Sequence, residues 1–310
     1  MDYKKFVDEQ VKEIKQTVGN GIAINALSGG VDSSVVTMLG HKAIGEQLKT
    51  YFVSNGLMRQ GEPEKVVDTF KKTGVKVELI DAKKEFLGAL KGLTDPEEKR
   101  QAITDTFYAK VFSDLVKKSN AKFLFHGTIL TDIEETVAGI KRQHNILTQI
   151  GIDTEKSYGY KIIEPLKELR KDGVREVAKH LGMPEVIHQR IPFPGPALAT
   201  RVIGEITEQK LETVRKATAI VEEELSNTGA FQYFAVLMND RATGIRNNKR
   251  EFGQIIIVRC INSTDARTAD VTELPWQKLH RITERILQIP DVNRVCYDLT
   301  PKPPATVEYI

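Results

Sequence analysis

An apolar run, Ile22-Ala23-Ile24-Asn25-Ala26-Leu27, leads directly into Ser28-Gly29-Gly30-Val31-Asp32-Ser33-Ser34, and a second apolar run, Val35-Val36-Thr37-Met38-Leu39, follows. The first run reads as a buried parallel strand and the second as the apolar face of a helix. The stretch between them is therefore a strand-to-helix turn with two glycines and three hydroxyls. Glycine lets the backbone approach a ligand closely and adopt positive φ. A helix N-terminus offers unpaired N–H groups and the positive end of a dipole, which suits phosphate, and the hydroxyls of Ser28, Ser33 and Ser34 can add donors. The stretch lacks both the G-x-x-x-x-G-K-[ST] spacing of the usual NTPase loop and the G-x-G-x-x-G of a dinucleotide fingerprint. Asp32 puts an anion where phosphate should sit. A bridging Mg²⁺ accounts for that; so, more blandly, does favourable placement of Asp32 on the helix dipole.

Around this turn the chain alternates strands and helices. Helical spacing covers 4–18 and stops at Gly19-Asn20-Gly21. Strands are predicted at Lys49–Ser54, Val75–Asp81, Lys122–Thr128 and Lys161–Leu166, and helices at 62–73, 82–91, 95–119 and 167–181. Such alternation predicts an α/β fold with a parallel, doubly wound sheet. Ligands then bind at the carboxyl ends of the strands, in the loops after Leu27, Ser54, Thr128 and Leu166. Lys167, at the end of the fifth strand, can meet phosphate as a point charge. Residues 129–160 are long, polar and poorly periodic, as lids often are; they carry Asp132, Glu134, Glu135, Lys141, Arg142 and His144.

The pattern changes near residue 187, where Arg190-Ile191-Pro192-Phe193-Pro194-Gly195-Pro196 breaks regular structure. The expected domains are 1–187 and 188–310, the second a small α+β unit. In it Arg241 to Arg250 reads as an exposed hairpin loop, and Trp276 as a packing anchor. The tail, Lys302 to Ile310, is expected to be held extended by its prolines. A frayed terminus is the default for such a tail; its lysine, threonine and glutamate also suit clamping a polar ring and phosphate.

At 310 residues the chain has room for two cores. Its net charge of +3 permits anionic ligands and falls short of a nucleic-acid footprint. Cys260 and Cys296 fall in predicted strands with no C-x-x-C, which reads as small buried hydrophobes in a reducing compartment. The amphipathic N-terminus is no signal core, and no apolar run is long enough to span a membrane, so a cytoplasmic protein is expected.

The Ser28–Ser34 stretch resembles the pyrophosphate loop of the N-type ATP pyrophosphatases, commonly S-G-G-x-D-S. Taken with Phe52 to Leu57, Asp95 to Arg100, Gly127-Thr128-Ile129, Glu164 to Leu169, Pro192 to Pro196, Tyr297-Asp298-Leu299 and Lys302 to Glu308, the whole chain resembles the ATP-pyrophosphatase part of GMP synthetases. The resemblance implies an adenine nucleotide alpha-hydrolase-like fold and a small second domain that forms a homodimer. It also implies the chemistry: ATP adenylates O2 of XMP, pyrophosphate leaves, and ammonia displaces AMP. By resemblance, Ser28, Gly29, Gly30, Val31, Asp32, Ser33, Ser34 and Gly127 bind ATP, with Asp32 near Mg²⁺ and Lys167 as a phosphate-binding lysine. Arg100, Arg250, Lys302, Val307 and Glu308 match positions that hold XMP.

Three positions depart from the family pattern. Ser54 stands where many members have Asp, Ile191 where many have His, and Gln143-His144 replaces a His-His pair. Arg246 has no clear counterpart. Many relatives carry a glutamine amidotransferase domain ahead of the synthetase part; here the helix before the loop begins near residue 1, so a separate glutaminase subunit is expected to supply ammonia. Two other classes fit the loop alone. A tRNA-modifying adenylating enzyme would need catalytic cysteines or a basic RNA-binding face, and a nucleotide-sensing module would have no need of the tail.

Overall fold

The computed structural model describes residues 1–137, 160–188, 191–264 and 266–310. The chain divides into two compact units: Met1–Ser54, Pro63–Asp81 and Phe107–Arg190 form the first, and Asn55–Glu62, Ala82–Thr106 and Ile191–Ile310 the second. In chain order the elements are α1 (Tyr3–Val18), β1 (Ala23–Ala26), α2 (Val31–Ile44), β2 (Leu48–Ser54), α3 (Glu62–Lys72), β3 (Val77–Asp81), α4 (Lys83–Leu90) and α5 (Pro96–Asp105). They continue with α6 (Ser113–Ser119), β4 (Phe123–Phe125), α7 (Leu130–Val137), β5 (Lys161–Ile163), α8 (Lys171–His180) and α9 (Glu185–His188). The last are α10 (Glu208–Leu225), β6 (Gln232–Arg246), β7 (Lys249–Asn262), β8 (Asp270–Val271), α11 (Trp276–Ile286) and β9 (Val292–Tyr297).

The first unit is built on a five-stranded sheet of order β3-β2-β1-β4-β5, parallel throughout. From β1 the chain winds outward through β2 and β3, then crosses to β4 and β5 on the other side. With right-handed crossovers, that reversal puts helices on both faces, the doubly wound arrangement the alternation predicts. It also creates a switch point between β1 and β4, where such sheets hold ligands. Ile24, Phe52 and Leu124 on the three central strands are at most 2% exposed. α1 starts where Asp2 accepts the Lys5 N–H at 3.0 Å and buries Phe6, Val7, Ile14 and Val18.

Two boundaries differ from the sequence pattern. The helix expected over 95–119 is α5, a π-helical stretch Thr106–Phe112, then α6. Phe107 and Phe112, five positions apart, stack with centroids 5.6 Å apart, and a widened turn brings such a pair onto one face. The helix expected from 167 begins at Lys171, because Pro165 to Glu168 form a turn closed by the Leu169 N–H on the Leu166 carbonyl at 2.9 Å.

In the second unit β6 and β7 are antiparallel, β8 pairs with the end of β7, and β9 runs parallel to β7. α10 covers β6 and α11 packs on α10. Val214, Val221, Leu225, Phe234, Val236, Ile256, Ile282 and Ile286 are buried to within 1%. Each such side chain contributes roughly 1.5–3 kcal/mol.

The Arg241–Arg250 stretch is not a loop. The strands continue to Arg246 and restart at Lys249, with Asn247 and Asn248 alone turning at φ 51° and 60°. Two successive positive φ values are what a tight I′ hairpin needs, and asparagine tolerates them. The outer hairpin carries Ile245 and Phe252, 81% and 60% exposed. Trp276 is 75% exposed at the start of α11, so it is not the packing anchor expected. Cys260 is buried in β7, but Cys296 is exposed on β9.

The second unit also takes in two segments that the 1–187 and 188–310 division assigns to the first domain. Their hydrogen bonds explain why. The Leu198 N–H donates to the Leu57 carbonyl at 2.9 Å, and Arg215 donates to the carbonyls of Gly56 (2.6 Å) and Met58 (2.9 Å). The Gly92 N–H donates to Glu205 at 2.9 Å, and the Lys99 ammonium to the Val202 carbonyl at 3.0 Å.

Candidate functional site

The Ser28–Ser34 turn lies at the switch point, between the exits of β1 and β4. Gly29 sits at φ +77°, in the left-handed region, and Gly30 caps α2 with no side chain to occupy the first N–H groups. The turn holds its own shape. The hydroxyls of Ser28 and Ser33 lie 2.8 Å apart, the Ser33 hydroxyl donates to the Gly30 carbonyl at 3.1 Å, and it accepts the Ser28 N–H at 3.2 Å. Two of the three serines expected to offer donors outward are thus engaged in shaping the loop. Ser34 is buried, and its hydroxyl has no hydrogen-bond partner among the described residues. Val31 is buried beneath the turn.

Gly127, leaving β4, closes against the same turn. A Cβ there would lie 3.2 Å from the Ser33 nitrogen and 3.3 Å from the Asp32 carbonyl carbon, so a larger residue would push the two loops apart. The structure therefore brings Gly127 together with Asp32 and Ser33, as the sequence resemblance implies.

Asp32 is the charged member of the turn. One carboxylate oxygen accepts the Lys171 ammonium at 2.5 Å; the other is buried with no hydrogen-bond partner among the described residues. The lysine that reaches Asp32 is thus Lys171, the first residue of α8. Lys167, four residues earlier, stands exposed in the Pro165–Glu168 turn. Sequence spacing missed Lys171 because the helix was expected to start at 167. The Lys171–Asp32 pair is partly exposed, at 47% and 26% of the two side chains, and so is worth roughly 0–1 kcal/mol. A ligand can displace it at little cost.

Ser54 ends β2 opposite Asp81. Asp132 caps its own helix, accepting the Ile129 N–H at 3.1 Å. Lys141, Arg142, Gln143 and His144 lie outside the described residues.

In the second unit the tail is neither extended nor frayed. It turns at Pro303 to Ala305, with the Ala305 N–H on the Pro301 carbonyl at 3.1 Å. Lys302 exchanges backbone bonds with Ala269 at 2.8 and 3.0 Å, and its ammonium donates to the Ala266 carbonyl at 2.7 Å. Glu308 is bound by Arg201 through Nε at 3.1 Å and Nη2 at 3.0 Å. Val307 offers its carbonyl to Arg259 at 3.1 Å. The Tyr309 hydroxyl donates to Asp298 at 3.0 Å; burial and that bond push the phenol up to about 12, which keeps its proton in place.

Beside the tail, Pro96, Lys99, Arg100, Pro196, Ala199, Thr200 and Ile310 line a small cleft. The structure thus brings Arg100 to the end of the tail and to the proline motif. Lys99 is buried there, which pushes its ammonium down to about 8. Arg250 is not brought to this cluster. It lies exposed beside the hairpin turn, nine residues along β7 from Arg259, about 30 Å at the rise of a strand.

Among the described residues no three His, Cys, Asp or Glu side chains cluster as a metal site, and no helix is long and apolar enough to cross a membrane.

Comparison with known proteins agrees with this geometry. The family model for NAD synthase matches residues 2–195, and with the parallel sheet and its Ser-Gly-Gly turn this defines the class of the first unit, an N-type ATP pyrophosphatase. The model for the GMP synthase C terminal domain matches residues 219–309. A subunit of the glutamine-hydrolyzing GMP synthase of Archaeoglobus fulgidus is 51% identical over 311 residues, covering 100% of both chains. The protein of the same name from Pyrococcus horikoshii is 49% identical, again over 100% of both. Among solved structures, the NH3-dependent NAD synthetase from Campylobacter jejuni aligns over 61% of this chain and 78% of its own at 17% identity and a TM-score of 0.49. The fold assignment above rests on strand order and does not depend on it. The chain belongs to this family of glutamine-hydrolyzing GMP synthase subunits.

Proposed function

We propose that this chain aminates XMP to GMP at the expense of ATP. The observation that carries the proposal is the cradle at the switch point, Asp32 and the uncapped start of α2 closed by Gly127, in a chain that matches the family over its whole length. O2 of XMP attacks the α-phosphorus of ATP, and pyrophosphate leaves. Ammonia then adds at C2, and AMP departs with the oxygen. The first-turn N–H groups of α2 receive the phosphates. Asp32 fits a Mg²⁺ through its unpartnered oxygen. A single protein carboxylate suffices when phosphates and water complete the shell, as is usual for this ion. Mg²⁺ would neutralise charge on the leaving pyrophosphate. Lys171, displaced from Asp32, can then follow the phosphates; Lys167 is the other lysine on this edge.

AMP release from the purified chain tests the reaction class. It is expected to require XMP. Release driven by tRNA would point to a nucleic-acid-modifying enzyme, and none with either would point to a binding module.

Arg100, Lys302, Val307 and Glu308 are the proposed XMP-binding group, with Arg250 a further candidate. Lys302→Ala is expected to weaken XMP binding by about 1.5–3 kcal/mol, roughly ten- to a hundredfold, as loss of a charge-assisted contact does. ATP binding should be unchanged. Calorimetric titration of each nucleotide checks this, and equal XMP affinity would remove Lys302 from the site.

A cytoplasmic location, a separate glutaminase subunit and homodimerisation through residues 188–310 belong to the same proposal. The exposed Ile245 and Phe252 on the hairpin are apolar surface that association would bury. Sedimentation at micromolar concentration is expected to give a dimer, and a monomer would contradict it.

A further inference from the structure

Asn25 stands inside the apolar run of β1, on the central strand of the sheet, opposite Thr50 of β2 and Phe125 of β4. Strands buried on both faces are apolar as a rule, and an amide there is costly unless it is paired. Asn25 is 1% exposed, and its amide nitrogen donates to the Thr37 hydroxyl at 2.6 Å. Thr37 is fully buried on α2 and gives its one hydroxyl proton to the Ser33 carbonyl at 2.7 Å. The amide oxygen of Asn25 has no hydrogen-bond partner among the described residues, and neither has the hydroxyl of Thr50.

Half-satisfied polar groups weaken a core, and apolar residues of the same shape serve it at least as well. Stability therefore does not account for Asn25 and Thr37. What they connect does. The chain from amide to hydroxyl to carbonyl ends on Ser33, the hub of the Ser28–Ser34 turn. The Ser33 hydroxyl holds Ser28 and the Gly30 carbonyl, and Gly127 packs against the Ser33 nitrogen. A threonine hydroxyl bonded to the carbonyl four residues back competes with the helical ladder and tilts that peptide. The amide of Asn25 polarises the hydroxyl and strengthens its bond. At the first turn of α2 such a tilt sets where the leading N–H groups point.

We infer that Asn25 and Thr37 are positioning residues for the Ser28–Ser34 turn, holding the Ser33 peptide from the central strand so that the first N–H groups of α2 face the phosphates of ATP. The inference deepens the proposed function and rests on its reading that this turn receives ATP.

The test compares Thr37→Val, Thr37→Ser and Asn25→Leu in the full chain with ammonium as nitrogen source. It reads kcat and KM for both nucleotides together with thermal unfolding. Thr37→Val keeps the shape of the side chain and loses the hydroxyl. It is expected to lower kcat/KM for ATP at least about tenfold, with KM for XMP within about twofold and unfolding moved by no more than a few degrees. Thr37→Ser keeps the hydroxyl and loses a buried methyl; it is expected to unfold earlier and to hold ATP kinetics within about twofold. Asn25→Leu is expected to lower kcat/KM for ATP by about threefold or more, and to add nothing to Thr37→Val, because both break one chain. A merely structural role gives the opposite pattern, with the less stable serine variant the more impaired. That pattern, or unchanged ATP kinetics in Thr37→Val, overturns the inference. Should Thr37→Val not fold, Asn25→Leu reads the same chain, and unchanged ATP kinetics there overturns it equally. Asp32→Asn, measured alongside, separates the two levels. If it loses AMP release while the Thr37 and Asn25 variants keep theirs, positioning fails alone; if it too is unchanged, the turn is no part of the ATP site.

Discussion

Asp32→Asn abolishes the release of AMP and pyrophosphate, by more than about a hundredfold, and leaves the fold intact. The carboxylate stands among phosphate-directed N–H groups, with one oxygen on Lys171 and the other buried and unpartnered. An amide keeps the shape but loses the charge that would hold a cation there. The fold survives because the partly exposed pair with Lys171 contributes roughly 0–1 kcal/mol. Thermal unfolding should move by no more than a few degrees, and higher Mg²⁺ should restore little activity. Turnover like that of the unmodified chain at ordinary Mg²⁺ would remove Asp32 from the metal role.

The second large effect concerns nitrogen. The purified chain should make GMP with ammonium and not with glutamine. Hydrolysing glutamine needs a thiolate activated by a base. Cys260 is buried in β7, where burial pushes its thiol up, and Cys296 lies on β9 rather than on a sharp strand-to-helix turn. Ammonia attacks through a lone pair that ammonium lacks, and the free base is the minor form at neutral pH. Activity at fixed total ammonium should therefore rise with pH. Adding the glutaminase subunit should confer use of glutamine. GMP from glutamine with matching glutamate release, and no second protein present, would contradict this.

The first unit was legible in the sequence because its signals are local. An apolar run, two glycines and a second apolar run fix β1, the turn and α2 within about twenty residues. The start of α8 was not legible: Lys167 and Glu168 continue without a break into the helical pattern that follows, and only the Leu169-to-Leu166 bond shows the turn. That shift put Lys171 at the first position of α8, where it pairs with Asp32. The outer hairpin was missed because its strands are exposed and carry no apolar alternation; Asn247-Asn248 was the available cue. The membership of 55–62 and 82–106 in the second unit depends on bonds such as Arg215 to the Gly56 carbonyl, 159 residues apart, which no local pattern encodes. Arg259 did leave a trace. It stands between Ile255-Ile256-Ile257-Val258 and Cys260-Ile261, and a charge inside a buried strand demands partners. What those partners were could be read only once the tail was seen to fold back.

Product stoichiometry tests the central claim most directly. With XMP, ATP, Mg²⁺ and ammonium salt, the purified chain should form GMP, AMP and pyrophosphate in equal amounts, and none of the three when XMP is left out. ADP and inorganic phosphate in place of AMP and pyrophosphate, or AMP formed at the same rate without XMP, would contradict it.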